Sequence, residues 1–383
     1  MSDADVVVVG AGILGLAVAR EVLRRRPGAR VTVVERHPQV GEEQTRANSG
    51  VIHAGIYYAP GSLKARLCVQ GARELYAYCA ERGIVHERCG KVIVALHEGE
   101  LPALDELERR GSANRVPGLR RVGREELREL EPNAAGIAAL HSPNTGIVDF
   151  PALARALAHD VREAGGEVLL GCAVRVVRPR GDAVVVQHAR GAISARDVIA
   201  CAGMDADRLA RTSGAPADPR VVPFRGAYLK LRPGRRDLVR ALVYPVPDPR
   251  LPFLGVHFTR HVDGEVYVGP TALLEPRLRS LAWPGTWRMA RRWWRTGLSE
   301  LRYAASTRAY AAEAARYVPA LGVDDLQPAF VGMRAQAVGR DGALLDDFVF
   351  SEQGRILHVR NAPSPAATAS LAIARYVVDR ATT

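Results

Sequence analysis

Asp5-Val-Val-Val-Val-Gly10-Ala-Gly12-Ile-Leu-Gly15 opens the chain with an apolar run that breaks into glycines spaced G-x-G-x-x-G. A second run, Arg30-Val-Thr-Val-Val-Glu35, follows at the distance of one helix and ends in an acid. Runs of valine without polar alternation predict strands buried on both faces. Gly10 permits the tight turn, Gly12 admits a diphosphate against the backbone, and Gly15 lets helix pack closely on strand. Glu35, about twenty residues further on, is placed for a ribose hydroxyl. The helix that begins at these glycines aims its first N–H groups at the phosphates. A lone glycine motif says little. Strand, glycines, helix, second strand and acid in this order predict a dinucleotide site.

At 383 residues the chain exceeds what one core ordinarily serves, so two domains are expected. Hydrophobic content of 48% with 25% charged residues indicates a soluble globular protein. Residues 6–19 resemble a leader, but Asp3 and Asp5 precede them and no small-residue cleavage site follows. No apolar stretch approaches the ~18–20 residues of a spanning helix. The five cysteines are odd in number and form no C-x-x-C, which argues against a disulfide framework or a zinc site. Histidines and acids do not cluster at ligand spacing, so no metal is expected. A reducing cytoplasm fits best. The net charge of +12 is carried almost wholly by arginines spread along the chain. It is only a weak pointer to anionic substrates, membrane surfaces or RNA.

Beyond the first β-α-β unit, residues 41–61 read as an ordered loop. Leu63–Arg82 has helical spacing and stops at Gly83. Strands are expected at 91–96, 167–170, 183–187 and 193–200, and helices at 98–110, 123–130 and Phe150–Ala164, the last opened by Asp149. From 221 to 269 the strands are separated by Pro and Gly, the texture of an antiparallel sheet. Residues 284–317 read as helix, followed by strands near 348 and 356–359 and a final helix over about 366–379. The expected fold is α/β with an α+β substrate part. A Rossmann-like domain (1–86, 149–210 and 325–383) is interleaved with a mixed or antiparallel-sheet substrate domain (87–148 and 211–324).

No second G-x-G-x-x-G occurs, which argues against separate flavin and nicotinamide sites. The strand ending Val198-Ile-Ala-Cys-Ala-Gly203 offers a second backbone approach to the ligand. Arg360-Asn-Ala-Pro-Ser-Pro365, just before the last helix, offers a third. Contacts gathered from such distant segments favour elongated FAD over NAD.

Asn48-Ser-Gly-Val-Ile-His53-Ala-Gly-Ile-Tyr57-Tyr58, Ser62-Leu-Lys64-Ala and Val222-Pro-Phe-Arg225-Gly resemble the L-2-hydroxyglutarate oxidase/dehydrogenase family. So do Gly255-Val-His257-Phe, Gly332-Met-Arg334-Ala-Gln and Asn361-Ala-Pro-Ser-Pro-Ala-Ala. That family is a branch of the D-amino-acid-oxidase-like FAD superfamily. The resemblance runs from about residue 5 to 380 and is weakest over 275–317. It implies FAD-dependent oxidation of L-2-hydroxyglutarate to 2-oxoglutarate by hydride transfer from C2 to flavin N5. Oxygen or a quinone would then take the electrons. None of Cys68, Cys172 and Cys201 lies in the C-terminal stretch where covalent attachment is expected, so FAD should be held noncovalently.

The expected FAD contacts start with Gly10, Gly12, Ile13, Leu14 and Gly15 of the turn and Glu35 and Arg36 beyond it. The loop adds Thr45, Asn48, Ser49 and Gly50. The later segments add Val174, Ala202, Gly203, Gly332, Arg334, Asn361, Ala362, Pro363 and Pro365. Oxidising a hydroxy acid also requires a base for the hydroxyl proton and cations for the carboxylates. His53, which the resemblance places beside the flavin ring, is suited to the base role near neutral pH. It could instead only hydrogen-bond flavin or backbone. His257 is the alternative base, a substrate donor, or a core residue. Arg334 could grip a carboxylate bidentately, touch the flavin, or serve a structural ion pair, and Arg225 is interchangeable with it at this level. Tyr57, Tyr58, Lys64 and Tyr244 could complete a polar pocket.

All four tryptophans (Trp283, Trp287, Trp293, Trp294) fall among arginines. On one helix, Trp287, Ala290, Trp294 and Leu298 would share a face. Residues 283–298 therefore offer either a peripheral membrane contact on the inner face of the cell membrane or a helix packed on the substrate domain. Two other functions fit part of the sequence. An amino-acid or amine oxidase of the same superfamily shares the cofactor reading. An FAD-containing RNA-modifying protein is prompted by charge alone, and no concentrated basic face with stacking aromatics supports it. Nucleic acid is not an expected partner.

Overall fold

Ala4–Val9 forms a strand that is almost wholly buried and pairs in parallel on both edges. The computed structural model describes residues 3–248 and 254–381. On one side of Ala4–Val9 lies Val31–Val34, followed by Glu167–Leu169; on the other lies Gly191–Ala200. The C-terminal part of Gly191–Ala200 pairs in parallel with Ile356–Asn361, which forms a hairpin with Val349–Gln353. Its N-terminal part pairs with the hairpin Val174–Arg180 and Ala183–His188, completing an eight-stranded sheet. Ile13–Arg25 packs on both Phe150–Glu163 and Ser370–Ala381, and the last of these also meets Leu63–Glu81. Their apolar faces form one core with the strand valines. Helix starts follow local chemistry: Asp149 accepts the Ala152 N–H at 2.8 Å, and Ser62 accepts that of Ala65 at 3.2 Å.

A second, nine-stranded sheet is built around the long antiparallel pair Arg220–Leu231 and Leu326–Val338. Leu326–Val338 reads in sequence with the FAD-binding segment 325–383, yet pairing from Arg220–Val338 to Leu231–Leu326 commits it to this sheet. Lys91–Ala95 lies inside the same sheet, between Leu242–Pro245 and Ala138–Ser142. A small third sheet joins Val51–Ile52, Gly146–Val148 and His86–Glu87.

The helix expected over 284–317 is instead three: Pro284–Arg292, Trp294–Ala305 and Thr307–Ala315. The chain breaks at Trp293 and again at Ser306, whose hydroxyl caps the last of them. Trp283 is buried and donates its indole N–H to the Val338 carbonyl at 3.0 Å, so it is a packing residue. Trp287 and Trp294 are exposed.

Candidate active site

The parallel strands end at the mouth of one cavity, where open α/β sheets place their ligands. Val9, Val34 and Ala202 line it with the glycine turn between Gly10 and Gly15. Gly10 has φ +102°, and a Cβ there would come within 2.5 Å of the Cys201 carbonyl oxygen. A Cβ on Gly15 would overlap the Gly10 carbonyl itself. At Gly12 only the Thr45 hydroxyl lies near, at 3.5 Å, so that side of the turn is open. Thr45 receives the Ile13 N–H at 3.0 Å. The next amides of this first turn have no intrahelical acceptor, the arrangement that can receive an anion. Glu35 closes the turn, accepting the Ala11 N–H at 2.7 Å through one carboxylate oxygen and the His37 N–H at 2.9 Å through the other.

Of the expected cofactor positions, all but Gly50 line this cavity, which encloses about 530 Å³. Gly50 serves the loop instead: its φ is +68°, its N–H donates to Asn48 Oδ1 at 2.8 Å, and His261 packs where a Cβ would stand. Asn361 reaches the cavity, but its amide is tied to the Leu345 and Asp347 carbonyls at 3.0 and 2.8 Å. Gly332 lets the second sheet approach, since a Cβ there would come within 2.7 Å of the Ala47 carbonyl oxygen.

His53, His257, Arg334 and Tyr244 line the same cavity. His53 is anchored by its backbone, whose N–H donates to Thr368 Oγ1 at 3.0 Å. Its Nε2 lies 3.3 Å from the Ser364 hydroxyl. Its Nδ1 is buried with no hydrogen-bond partner among the described residues. Burial pushes this imidazole well below the usual histidine range, and the nearby Lys91, His257 and Lys64 charges act in the same direction. His257 Nδ1 lies 2.8 Å from the Gly255 carbonyl, so Nδ1 carries the proton and Nε2 is the acceptor. Burial lowers its pKa to about 4. Both imidazoles are therefore neutral at pH 7, the state a base must occupy before it acts. Arg334 is accessible from the cavity, but the surrounding protein desolvates it and lowers its pKa from the arginine range. It stays charged and can bind a carboxylate.

Strand alternation separates the two arginines that the sequence leaves interchangeable. Phe224, Gly226 and Tyr228 line the cavity from one face of their strand, and Phe224 pairs with Arg334 across the sheet. Arg225 points the other way, is exposed, and lies outside the cavity lining. Tyr57, Tyr58 and Lys64 also lie outside it, in the layer behind the His53 loop. Lys64 pairs with Asp346 at 2.9 Å and lies over the Tyr58 ring. The sequence reading missed Phe224, Tyr228, Ser364 and Thr368 in the lining, and Lys91 behind Tyr244. Among the described residues no group of metal-ligating side chains occurs.

This donor set fits FAD. The open backbone at Gly12 suits the diphosphate, the Glu35 carboxylate the ribose, and Gly332, Arg334 and the 361–365 segment the distant ring. Cys201 also lines the cavity, but burial pushes its thiol up to about 12, which disfavours a covalent link.

Residues 5–380 match the sequence profile of the FAD dependent oxidoreductase family, DAO. The chain belongs to this family. The FAD-dependent oxidoreductase is 43% identical to a relative in Nematostella vectensis named mitochondrial L-2-hydroxyglutarate dehydrogenase, over 98% of this chain and 90% of that one. Proteins named L-2-hydroxyglutarate dehydrogenase are 41% identical in Homo sapiens (99% and 88% covered) and 40% in Indibacter alkaliphilus (98% of each). The fold superposes on L-alpha-glycerophosphate oxidase from Mycoplasma pneumoniae, solved with FAD bound, at a TM-score of 0.83. That match has 24% identity and covers 100% and 96% of the two chains. Glycine oxidase from Geobacillus kaustophilus gives a TM-score of 0.74 at 21% identity, covering 100% and 95%.

Proposed function

We propose that this oxidoreductase converts L-2-hydroxyglutarate to 2-oxoglutarate with noncovalently held FAD. One observation carries the reading. His53, His257 and Arg334 meet the dinucleotide turn at a single cavity, in a chain 40–43% identical along nearly its whole length to relatives of that name. Bound FAD supplies the acceptor for the hydride from the hydroxyl carbon. The chain supplies the rest. Arg334 binds and orients the carboxylate beside that carbon. A neutral imidazole, His53 with His257 as the second candidate, takes the hydroxyl proton. Tyr228, Tyr244 and Phe224 add aromatic surface to the cavity lining.

Mixing the yellow protein with substrate in the absence of air tests the proposal. L-2-hydroxyglutarate should bleach the flavin within the mixing experiment, and the D-enantiomer should leave it oxidised. Bleaching by glycine or D-amino acids but not by the hydroxy acid would move the assignment to amine oxidation.

We further infer a peripheral membrane contact, which would suit a quinone as electron acceptor. Leu278, Trp287, Trp294, Leu298 and Leu301 are each more than half exposed, and Arg288, Arg291, Arg292 and Arg295 are interspersed with them. The single helical face expected for Trp287, Ala290, Trp294 and Leu298 is divided between two helices by the break at Trp293. The exposed tryptophans, leucines and arginines nevertheless keep the composition that suits an anionic lipid interface. No helix among the described residues is long and apolar enough to cross a membrane. Vesicles containing anionic phospholipid should sediment the protein at low salt, and neutral vesicles should not. Replacing Trp287 and Trp294 together with alanine should weaken that binding by roughly tenfold or more.

A further inference from the structure

Lys91 begins the strand Lys91–Ala95 and is 1% exposed. An amine so enclosed ordinarily has a carboxylate or several acceptors, because burying an unpaired charge is costly. Lys91 has neither ion pair nor hydrogen-bond acceptor among the described residues. Its Nζ instead faces two aromatic rings, 4.0 Å from the Tyr244 centroid and 5.3 Å from that of Tyr57. Tyr244 in turn packs on His257, with ring centroids 4.1 Å apart. The strands explain the contact: Lys91–Ala95 runs parallel to Leu242–Pro245, with Lys91 opposite Leu242 and Ile93 opposite Tyr244. Amine, phenol and imidazole thus form a stack leading into the cavity that Tyr244 and His257 line.

We propose that Lys91 is a positioning residue for the histidine pair: its amine holds Tyr244 against His257 and, while protonated, sets a positive field at His53 and His257. The proposal rests on the reading of those histidines as the proton-accepting pair, but its test needs no substrate. The remaining titratable groups around Lys91 carry no charge in the working range. Burial pushes the Cys68 thiol up to about 12 and that of Cys89 to about 11, and it holds the Tyr57 and Tyr244 phenols well above their usual range. Lys64 adds a second positive charge felt by His53, partly offset by Asp346.

Burial lowers Lys91 itself to about 7. It is therefore charged over the acid range in which His257 titrates, and its charge resists protonation of both imidazoles. Removing that charge must raise the histidine values. The sign is fixed even though the distances set the size.

NMR titration of isotope-labelled histidines in the FAD-loaded protein reads this directly, with resonances assigned from His53→Gln and His257→Gln. In Lys91→Met, of similar length but uncharged, at least one of the two imidazoles should titrate roughly one pH unit higher than in the wild type. Lys91→Arg keeps the charge and should leave the titration at its wild-type position. In the unaltered protein the same resonances should show a second, smaller inflection near pH 7 as Lys91 loses its proton. That measurement needs no variant to fold. Identical titrations in Lys91→Met and wild type, an equal shift in Lys91→Arg, or no second inflection would each overturn the proposal. Failure of L-2-hydroxyglutarate to bleach the flavin would instead count against the substrate assignment and leave these titrations readable.

Discussion

Replacing His53 with alanine should slow flavin reduction by L-2-hydroxyglutarate by roughly 10²–10⁴-fold, the range that loss of a positioned base produces. The protein should remain yellow. The backbone N–H of His53, which donates to Thr368, survives the substitution, and the glycine turn that would grip the diphosphate is built from other residues of the cavity lining. The prediction favours His53 over His257 because of what each ring atom does. His257 is tied by Nδ1 to the Gly255 carbonyl at 2.8 Å and packed on Tyr244, whereas the His53 ring meets the Ser364 hydroxyl through Nε2 at the longer distance of 3.3 Å. His257→Ala should therefore cost less than His53→Ala in stopped-flow reduction, and the reverse ranking would transfer the base role to His257. The pH profile follows with its sign. A base whose pKa is depressed stays active as pH falls until it protonates. The acid limb should thus lie well below the 6.5 of an ordinary histidine, because burial disfavours the charged imidazole. A limb near 6.5 would mean that neither buried imidazole is the group seen.

The distance between what the sequence shows and what the fold adds is clearest at particular residues. Gly10, Gly12, Gly15 and Glu35 are legible because each answers a local backbone demand within one β-α-β unit. His53, His257 and Arg334 are legible as chemistry, but not as neighbours. They come from a loop, a central strand and a late strand, and only long-range pairing brings them to one cavity. Arg225 could not be told from Arg334 because the side a strand residue faces depends on register, which nonlocal pairing sets. Lys91 was hidden for the same kind of reason. A lysine at the start of an apolar run reads as the solvated end of a strand, and nothing nearby in sequence announces that Tyr57 and Tyr244 will enclose it. The single helix expected over 284–317 failed at Trp293, where the tryptophans divide between a buried partner of Val338 and an exposed face.

Two glycines of the same motif should fail in opposite ways, and this contrast tests the flavin site itself. Gly15→Ala places a methyl group on the Gly10 carbonyl, a backbone atom held by the strand and by packing against Cys201. Neither side can yield cheaply, so helix Ile13–Arg25 must move off the sheet. A cost of about 3 kcal/mol or more is expected from overpacking against backbone, with a lower melting temperature whether or not FAD is supplied. Gly12→Ala meets nothing closer than the Thr45 hydroxyl at 3.5 Å, so the chain without cofactor should melt close to the wild-type temperature. Its methyl group would stand where the diphosphate approaches the backbone, and FAD affinity should fall by 10²-fold or more, an order of magnitude consistent with losing charge-assisted N–H contacts of about 1.5–3 kcal/mol each. Denaturation scans with and without added FAD, together with flavin absorbance after desalting, separate the two. Gly12 is open for a ligand and Gly15 is closed for the fold. A Gly12→Ala protein that keeps its yellow colour would show that the diphosphate does not lie against this turn.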